Sequence, residues 1–526
     1  LYDFESAADP SSVDGILRAL TAVWVLATLL SVVRARTLWA VLHRLSLRAV
    51  NGEGLLDAAA IHDSVLCLAV LATGVGYFFI LRRAGAAARS RALTAALWGV
   101  AVSAALAIGQ LGKLAPAETS GFWRATGRLS GGAVDPNALG LLCGLGLVAA
   151  LARMWTGSGR RGVSAGLAVV LTAGLVLSGS RSGLLVALLG FLTLIVSRGR
   201  AGGRKLALSA AVLVLLIGLA VVSLRKSPGS IGSRLSQVMD QSLPLEYRAS
   251  ARPLLWESAV LLFRRHPLAG GGLGSFSWQL PDLLTELGRA LPMRDNPGNA
   301  YLQALAETGA IGFLLTLALA VALLRFSWSG PDGGGAAVGA FLVSLLGGSH
   351  WFAPDVALFF FLLASVAAPA PRAAIQAWRR RLGGALVAIY AVAVVFAAVS
   401  TLRPDVTFRY RQGVGFHAKE VGPGGPFYWT QRRFAVRLEP GGGLRLILAH
   451  FTPEGQNLEL TAQTDGRLAY SRSLSPGQAV DLRLSGGSAQ ARVIEFSVSR
   501  AFVPKRLGLS SDRRELGLVA VFPKSP

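Results

Sequence analysis

The chain has 526 residues, of which 52% are hydrophobic and 15% charged, and it carries a formal net charge of +24. This apolar fraction, gathered in blocks of membrane-spanning length, excludes an ordinary soluble protein. The positive charge does not indicate nucleic-acid binding, because the basic residues cluster in short loops between the apolar blocks, as the positive-inside rule describes. We therefore expect a polytopic α-helical membrane protein with no nucleic-acid partner.

The apolar blocks predict about 11–12 transmembrane helices. In chain order the candidate spans are 13–33, 59–81, 92–110, 137–152, 162–178, 182–197, 205–224, 299–324, 336–349, 355–369 and 383–401. Both cysteines, Cys67 and Cys143, fall inside such blocks, so we expect two buried structural thiols and neither a disulfide nor a metal site. Because residue 1 is Leu, we expect the numbering to begin inside a longer gene product.

Arginine-rich loops predict which side of the membrane each connection faces. When the spans alternate, one side receives the basic loops at 82–91, 153–161, 198–205 and 372–381. The positive-inside rule makes that side cytoplasmic. The opposite, external side then receives the loops at 111–136, 225–298 and 350–355, together with everything after residue 401.

The N-terminal part does not fit this alternation. Arginines between 34 and 48 flank one end of the 59–81 block, while Arg82 and Arg83 flank the other. A single span cannot place both clusters inside. Either residues 37–58 contain a short crossing or an interfacial helix, or one cluster departs from the rule.

Residues 402–526 have a different pattern from the membrane domain, which we assign to 1–401. Short runs such as LRLILAHF and AVDLRLS alternate apolar and polar residues, and turn sequences such as PGGG and SPG separate them. This pattern is typical of antiparallel strands. The fold class that we expect is therefore a helical polytopic membrane protein followed by an all-β sandwich domain outside the cytoplasm.

The first external polar segment is RLSGGAVDPNALG, residues 128–140, in which Asp135 and Asn137 flank Pro136. An N-cap aspartate followed by proline in the first turn of a helix explains most of the pattern. A substrate-binding role for Asp135 and Asn137 is the alternative.

The second segment is LSGSRSGLL, residues 177–185, which places Arg181 between two apolar blocks with no other charge nearby. An arginine at membrane depth is costly unless it meets an anion or a water-filled cavity. Alternatively, Arg181 only marks the boundary of a span and extends to the lipid headgroups. Its position on the external side, where positive charge is not favoured, favours a functional role for Arg181 over a boundary role.

The third segment predicts an amphipathic helix over 252–265, with Arg252, Trp256 and Ala259 on one side. The helix is followed by HPLAGGGLGSF, whose glycines allow close approach of the backbone to a ligand. This pattern alone is weak. A nucleotide-binding loop is excluded because no βαβ unit surrounds it.

The fourth segment is DNPGNAYLQALAETG, residues 295–309, at the start of a strongly apolar run. We expect Asn296 to cap a helix that begins at Pro297, with Gly298 in its first turn, where free N–H groups favour an anion. If this position faces a cavity, Gly298→His is tolerated by the fold.

Polar residues then continue into the apolar part of the same predicted helix. Asn299, Gln303 and Glu307 recur every four residues and share one face. A polar stripe in a membrane helix normally faces a cavity or another polar group, so these residues are candidates for one wall of an external cavity. Polar contacts between neighbouring helices are the alternative.

These segments together resemble the bacterial O-antigen ligase and polymerase family over roughly residues 120–345. The resemblance is carried by GRLSGGAVDPNALG, by SRSG after a hydrophobic helix, by Arg252 four residues before Trp256, by HPLAGGGLGSF, and by GNAYLQALAETGAIG. The family motif has His followed by Asn and, nine residues later, Gly-x-x-Gly. Asn299, Gly309 and Gly312 match this motif, whereas Gly298 stands where the histidine is expected.

The resemblance implies transfer of a glycan from an undecaprenyl-diphosphate carrier to an acceptor hydroxyl, with no cofactor. If the roles known in the family apply to the matching positions of this sequence, Arg181 and Arg252 bind the diphosphate and stabilise the charge that develops on it. Substrate binding is assigned to Gly298, Asn299, Tyr301, Gln303, Trp256, Asp135 and Asn137. The expected setting is the inner membrane, with the lipid bilayer and polysaccharide chain-length or export proteins as partners.

The base that assists the acceptor hydroxyl is the open point, because Gly298 replaces the histidine of the motif. The candidates to replace it are His266, His350 and Glu307, the last if burial raises its pKa. Two alternatives remain: leaving-group departure needs little help from a base, or the protein has lost activity.

The C-terminal region resembles β-sandwich modules of bacterial envelope glycan-processing proteins, which are similar to carbohydrate-binding domains. The resemblance is carried by GFHAKEVGPGGPFYWTQRRFAVRLEP and AFVPKRLGLSSDRRELGLVAV. It implies that Tyr428 and Trp429 stack on sugar rings and that Arg432 or Arg433 binds acidic groups. The alternative is that the aromatic residues belong to the core.

The sequence thus favours a membrane glycosyltransferase that polymerises or ligates lipid-linked oligosaccharides for surface polysaccharide. A transporter or flippase for lipid-linked glycans is a rival, but it usually shows paired repeats or broken helices in both halves, and the sequence has no such repeat. A catalytically inactive scaffold that binds glycan is the second rival, and Gly298 favours it.

Overall fold

A computed structural model describes most of the helices and strands of the chain. The described residues are 11–44, 56–116, 121–157, 160–198, 240, 252–287, 295–325, 334–368, 377–402, 414–422, 425–438, 441–451, 455–464, 467–485, 492–509 and 516–523. The predicted span at 205–224 lies outside these ranges.

The described helices follow the predicted apolar blocks. They are α1 (Ser11–Arg44), α2 (Leu56–Arg83), α3 (Ala86–Leu111), α4 (Gly121–Thr126), α5 (Pro136–Thr156), α6 (Arg161–Ser178), α7 (Arg181–Arg198), α8 (Arg252–Arg265), α9 (Ser275–Glu286), α10 (Ala300–Leu324), α11 (Gly334–Ser344), α12 (Pro354–Ala367) and α13 (Ala377–Leu402). Short 3-10 turns at Leu345–Gly347 and His350–Phe352 join α11 to α12.

Seven of the described helices are long and apolar enough to cross a membrane. The candidate spans within them are Val13–Ala35, Ile61–Arg83, Ala86–Leu111, Pro136–Thr156, Arg161–Ser178, Ala300–Leu324 and Leu382–Val399. Three shorter apolar helices, α7, α11 and α12, accompany them. The prediction of a polytopic helical membrane protein with a C-terminal β domain is therefore confirmed.

The described residues form two compact units. The first contains the described residues within Leu1–Leu26, Leu66–Gly270 and Asn296–Ala391, and the second contains those within Ala27–Val65, Gly271–Asp295 and Val392–Pro526. The division of the chain at residue 402, made from composition, stays a prediction.

Helix α5 is the centre of the first unit. It packs against α3, α6 and α7, and 89% of its span is buried inside the protein. Its sequence is apolar on every face, the pattern of a helix enclosed by others. At Gly140 and Gly183 the backbones of α5 and α7 approach so closely that a Cβ on either glycine would overlap the other helix or the turn before it. Small residues permit this approach.

Helix α10 is broken near its first third by the segment that follows α8. Gly309 has φ 65° and ψ −170°, a backbone conformation that is essentially restricted to glycine. The N–H of Ala310 donates instead to the carbonyl of Pro267, at 2.9 Å. A Cβ on Gly309 would overlap the carbonyl of Leu268. The first residues of the HPLAGGGLGSF segment therefore pack their backbone against the break in α10.

The second unit contains an antiparallel sheet of eight strands. They are β1 (Val414–Gly422), β2 (Gly425–Leu438), β3 (Gly443–Ala449), β4 (Leu458–Thr464), β5 (Arg467–Leu474), β6 (Ala479–Ser485), β7 (Arg492–Val498) and β8 (Val519–Val521). The strand order is β5-β4-β7-β2-β8-β3-β6, and β1 pairs with β2. The alternation of apolar residues directs one face into a core that includes Phe434, Leu446, Leu460 and Phe496.

Candidate active site

The N-terminus of α5 carries the first group of polar residues. Asp135 is the N-cap, and its carboxylate accepts hydrogen bonds from the backbone N–H groups of Asn137 and Ala138, as the sequence predicts. Arg128 precedes this cap: its Nε donates to the carbonyl of Ser178, at 2.8 Å, and its Nη2 donates to Asn137 Oδ1, at 2.6 Å. Arg128 therefore ties the C-terminus of α6 to the first turn of α5.

Arg128 is the residue of this group that the sequence analysis missed. Its side chain is 4% exposed and its guanidinium lies 4.8 Å from the ring centroid of Trp123. Burial lowers the pKa of Arg128 to about 10; the charge of Asp135 opposes this shift and that of Arg181 adds to it. Asp135 and Arg181 therefore lie within electrostatic reach of Arg128. Its position in the segment that leads to the predicted helix cap was the only local signal.

Arg181 is held in place by the contact between α5 and α7. It is the first residue of α7, and the Ser180 hydroxyl before it accepts a hydrogen bond from the N–H of Gly183, at 3.1 Å. Because the backbones at Gly140 and Gly183 touch, the start of α7 is fixed against the first turns of α5. Arg181 is half-buried there and lies within electrostatic reach of Arg128.

Arg252 is the first residue of α8 and lies between two glycines from different segments. A Cβ on Gly298 would be 3.6 Å from its Cγ and Nε, and a Cβ on Gly347 would be 3.5 Å from its Nη1. The two segments are also joined directly, since the N–H of Ala300 donates to the carbonyl of Gly348, at 3.1 Å. The predicted helix over 252–265 is confirmed, and its first residue reaches the start of α10.

The predicted start of α10 was wrong. The helix begins at Ala300 with Asn299 as its N-cap, and the Asn299 side chain accepts hydrogen bonds from the N–H groups of Tyr301 and Leu302. Asn296 instead accepts a hydrogen bond from the N–H of Gly298, at 2.9 Å. Gly298 precedes the helix and has φ 62°. This left-handed residue forms a tight turn, and the turn places Asn299 where it caps α10. The predicted tolerance of Gly298→His stays a prediction.

His350 lies in the 3-10 turn between α11 and α12. Its imidazole folds over Gly348, where a Cβ would be 2.6 Å from its Cδ2. Burial lowers the pKa of His350; the charge of Asp135 opposes this, and those of Arg252 and Arg128 reinforce it. His350 is thus grouped with the arginines, although it was only one of several candidates in the sequence. We call Arg128, Asp135, Arg181, Arg252 and His350 the charged cluster.

The polar stripe of α10 is a buried row of hydrogen-bonded residues. Asn299, Gln303 and Glu307 are respectively 9%, 5% and 1% exposed, and Gln303 Nε2 donates to Glu307 Oε1, at 3.2 Å. Tyr301 projects elsewhere, and its hydroxyl donates to the carbonyl of Leu342, at 2.9 Å. The cavity-lining roles of these residues stay predictions.

Glu307 and His266 belong to a different part of the first unit from the charged cluster. Glu307 is about 12 Å along α10 from its N-cap, and His266 is about 20 Å along α8 from Arg252, at a helical rise of roughly 1.5 Å per residue. Both lie beside the break in α10, where the carbonyl of His266 accepts from the N–H of Gly270, at 2.9 Å. Trp256 lies one turn from Arg252 and is 37% exposed.

An apolar groove lies next to the loop that leads to Asp135. It has a cavity volume of about 490 Å³ and is lined by α2, α3, α12 and the loop at Gly132. At its polar edge, Ser103 accepts a hydrogen bond from the N–H of Gly132, at 3.0 Å, and Asp355 accepts one from the N–H of Val134, at 3.3 Å. The groove therefore ends against the loop that carries Arg128 and Asp135.

In the β domain the three predicted carbohydrate-binding residues have different surroundings. Tyr428 is a member of the hydrophobic core and contacts Phe522, because the alternation of strand β2 turns it inwards. Its stacking on a sugar stays a prediction. Trp429 points to the other face and is half-buried beside Phe427 and Phe502. Arg432 is exposed and donates to the carbonyl of Ser499, at 3.0 Å.

Fold and site together define a multi-pass membrane protein with an arginine-rich cluster at the ends of several helices. Residues 166–317 match the family described as O-antigen ligase, so the chain contains a domain of that family. Members of this bacterial membrane family ligate or polymerise glycans in surface polysaccharide synthesis. No curated protein matches the chain. The matched segment includes Arg181 and Arg252, whereas Arg128, Asp135 and His350 join the cluster from outside it.

Proposed function

We propose that the protein is an inner-membrane glycosyltransferase that polymerises or ligates undecaprenyl-diphosphate-linked oligosaccharides on the external side of the membrane. The observation that carries the proposal is that Arg128 lies within electrostatic reach of Asp135 and Arg181, while Asp135, Arg252 and Arg128 lie within electrostatic reach of His350. A diphosphate leaving group needs cations that never deprotonate, and the planar guanidinium binds phosphate oxygens in pairs. Stabilising the charge on this group is the role that we assign to Arg181 and Arg252.

Arg128 has a supporting role in this proposal. Its guanidinium already donates to Ser178 and Asn137, so it is committed to holding the two helix ends together. Its positive charge still adds to the field at Arg181 and His350. Asp135 balances part of that field, which allows several cations to share one small region.

The apolar groove fits the lipid part of the same donor. We assign it to the polyprenyl chain because it is lined by Tyr77, Val100, Leu142, Leu358 and Phe359 and ends beside the loop that leads to the charged cluster. Replacing Gly99, which has open space around it, by Phe fills the groove, whereas Gly99→Ala adds one methyl group. We expect the first change to reduce transfer at least tenfold and the second to leave it unchanged.

The remaining predicted residues receive secondary roles. Trp256 offers an exposed ring one turn from Arg252 for contact with the glycan, and Trp429 with Arg432 offers a second contact on the β domain. The buried pair of Gln303 and Glu307 stabilises α10 next to its break. Polysaccharide chain-length or export proteins are the expected partners in the envelope, with the β domain outside the cytoplasm.

The proposal is tested by Arg252→Ala and Arg181→Ala in a deletion strain of the source bacterium, with surface polysaccharide length and amount measured on gels. A hydrogen bond between charged groups contributes roughly 1.5–3 kcal/mol, which corresponds to about a ten- to hundredfold loss. Arg264→Ala is the matched control, because Arg264 is exposed at the opposite end of the same helix. Normal polysaccharide in both variants overturns the proposal.

Assays with purified full-length protein distinguish a transferase from a transporter and from an inactive scaffold. In proteoliposomes with the lipid-linked glycan of the source strain, a transferase lengthens or transfers the glycan, whereas a transporter moves it across the bilayer unchanged. An inactive scaffold does neither. Undecaprenyl diphosphate without sugar is the binding probe, and its affinity is expected to fall in Arg252→Ala but not in Arg264→Ala.

A further inference from the structure

We propose that His350 is the general base of the transfer reaction, supplied by the turn before α12. It occupies in space the neighbourhood of Gly298, where the motif of the sequence lacks a histidine. This proposal rests on the proposed transferase function. The reaction needs such a group because the acceptor hydroxyl must lose a proton when its oxygen attacks the anomeric carbon.

The backbone brings His350 and Gly298 to the same place. The carbonyl of Gly348 accepts a hydrogen bond from Ala300, two residues after Gly298, and the His350 ring lies over Gly348. Arg252 runs between Gly298 and Gly347 and so joins the two segments. A histidine on the 348–350 segment therefore reaches the same arginine as one at position 298 would.

The other candidate bases are engaged elsewhere. Glu307 is 1% exposed, accepts a hydrogen bond from Gln303, and lies about two turns along α10 from the N-cap. Asp135 already accepts two backbone hydrogen bonds at the start of α5. Asp355 accepts hydrogen bonds from the N–H groups of Val134 and Val356. His266 is at the far end of α8 from Arg252.

The surroundings of His350 suit a base. The charges within electrostatic reach of His350 are Asp135 at the N-cap of α5, Arg252 on α8 and Arg128 before α5; burial, and after it the two arginines, lower its pKa and so favour the neutral imidazole. The negative charge of Asp135 stabilises the imidazolium once it forms. Ser349 Oγ, next to it, is buried without a hydrogen-bond partner among the described residues, as expected of a hydroxyl that faces a polar ligand.

The step balances without a further reactant. The acceptor oxygen forms a bond to the anomeric carbon, and the bond from that carbon to the diphosphate oxygen breaks. The electron pair of the broken bond leaves on the polyprenyl diphosphate, where Arg181 and Arg252 bind it. The acceptor proton passes to an imidazole nitrogen of His350 and later to water.

The first test is His350→Ala in membranes that contain the lipid-linked glycan of a deletion strain, with purified full-length enzyme added. We expect transfer to fall about a hundredfold, within the usual range for loss of a general base, while undecaprenyl diphosphate still binds. Added imidazole is expected to restore part of the transfer. His62→Ala is the control, because His62 is 71% exposed. Unchanged transfer in His350→Ala overturns the proposal and leaves the transferase function standing.

A pH profile adds a readout that a structural role would not move. Because the pKa of His350 is lowered, the neutral base is present above that pKa, and transfer is lost as the pH falls through a value below the ordinary range of histidine. In His350→Ala this acid limb is expected to disappear from the residual transfer. A limb that persists unchanged in the variant contradicts the assignment.

A second variant tests the position of the ring if His350→Ala fails to fold. A Cβ on Gly348 would be 2.6 Å from His350 Cδ2, and the backbone there is extended, with φ −165°, so Gly348→Ala displaces the ring without backbone strain. We expect about a tenfold loss of transfer with retained thermal stability and retained binding of undecaprenyl diphosphate. Gly166→Ala, which adds a methyl group in open space, is the control. Full transfer in Gly348→Ala overturns the proposal.

Discussion

The charged cluster and the β domain show how differently polar and aromatic residues behave in two parts of one chain. In the helical bundle, charges that stand apart in the sequence gather in one region, because the bundle leaves them few other polar surroundings. In the β domain, neighbouring Tyr428 and Trp429 separate to opposite faces of one strand. Charged residue type is therefore a good guide to a shared site in the membrane bundle, whereas proximity in the sequence is a poor guide to a shared site in the sheet.

The largest effect that we predict tests the break in α10. Gly309→Ala should lower the apparent free energy of unfolding by about 3 kcal/mol or more, because the conformation at Gly309 is restricted to glycine and the new Cβ would overlap Leu268. The measurement is thermal unfolding of the full chain in detergent. Gly76→Ala, with open space around the Cβ, is the control. Equal stability of the two variants would show that the break in α10 is not needed.

A comparable effect is expected in the core of the β domain. Tyr428→Ala removes a ring that is 9% exposed and packs edge-on against Phe522, with centroids 5.5 Å apart. We expect a loss of about 3 kcal/mol, which calorimetry of the full chain would detect as an earlier unfolding transition. Tyr428→Phe keeps the ring and should retain most of the stability. A neutral Tyr428→Ala would favour the sugar-stacking interpretation over the packing role.

A smaller effect is expected at Gly298. A side chain there has space, since the nearest Arg252 atoms would be 3.6 Å from its Cβ, but φ of 62° costs a residue with a Cβ roughly 1–2 kcal/mol. We therefore expect Gly298→His to express and fold with slightly lowered thermal stability. In the His350→Ala background, it should recover part of the lost transfer, because the two positions flank the same arginine. Loss of expression would contradict the placement of Gly298.

The smallest predicted effect on stability is at Trp429. Its ring is half-buried on the face opposite the core, so Trp429→Ala should cost less than about 1.5 kcal/mol, well below Tyr428→Ala. If the β domain binds glycan, the same change should weaken retention of the full chain on immobilised polysaccharide from the source strain. A large loss of stability with unchanged retention would assign Trp429 to packing instead.

The family resemblance identified one part of the candidate site and left the other part to the structure. Arg181 and Arg252 were recognised because each lies in a segment that resembles the family, and Asp135 because it precedes proline at the start of an apolar block. Arg128 was not assigned a role, since a lone arginine before a loop has no distinctive local pattern. Only its hydrogen bonds to Ser178 and Asn137 reveal how it is used.

The sequence by itself determined the membrane class, most helix positions, the cap at Asp135 and the strands of the β domain. These features depend on local hydrophobic periodicity and on residues that are neighbours in the chain. The tertiary structure decided that α10 starts at Ala300, that Tyr428 is buried, and that His350 joins Arg128, Asp135 and Arg252. Those outcomes depend on contacts between distant segments, above all the close backbone packing of α5 with α7 and of Gly348 with Ala300, which no local pattern encodes.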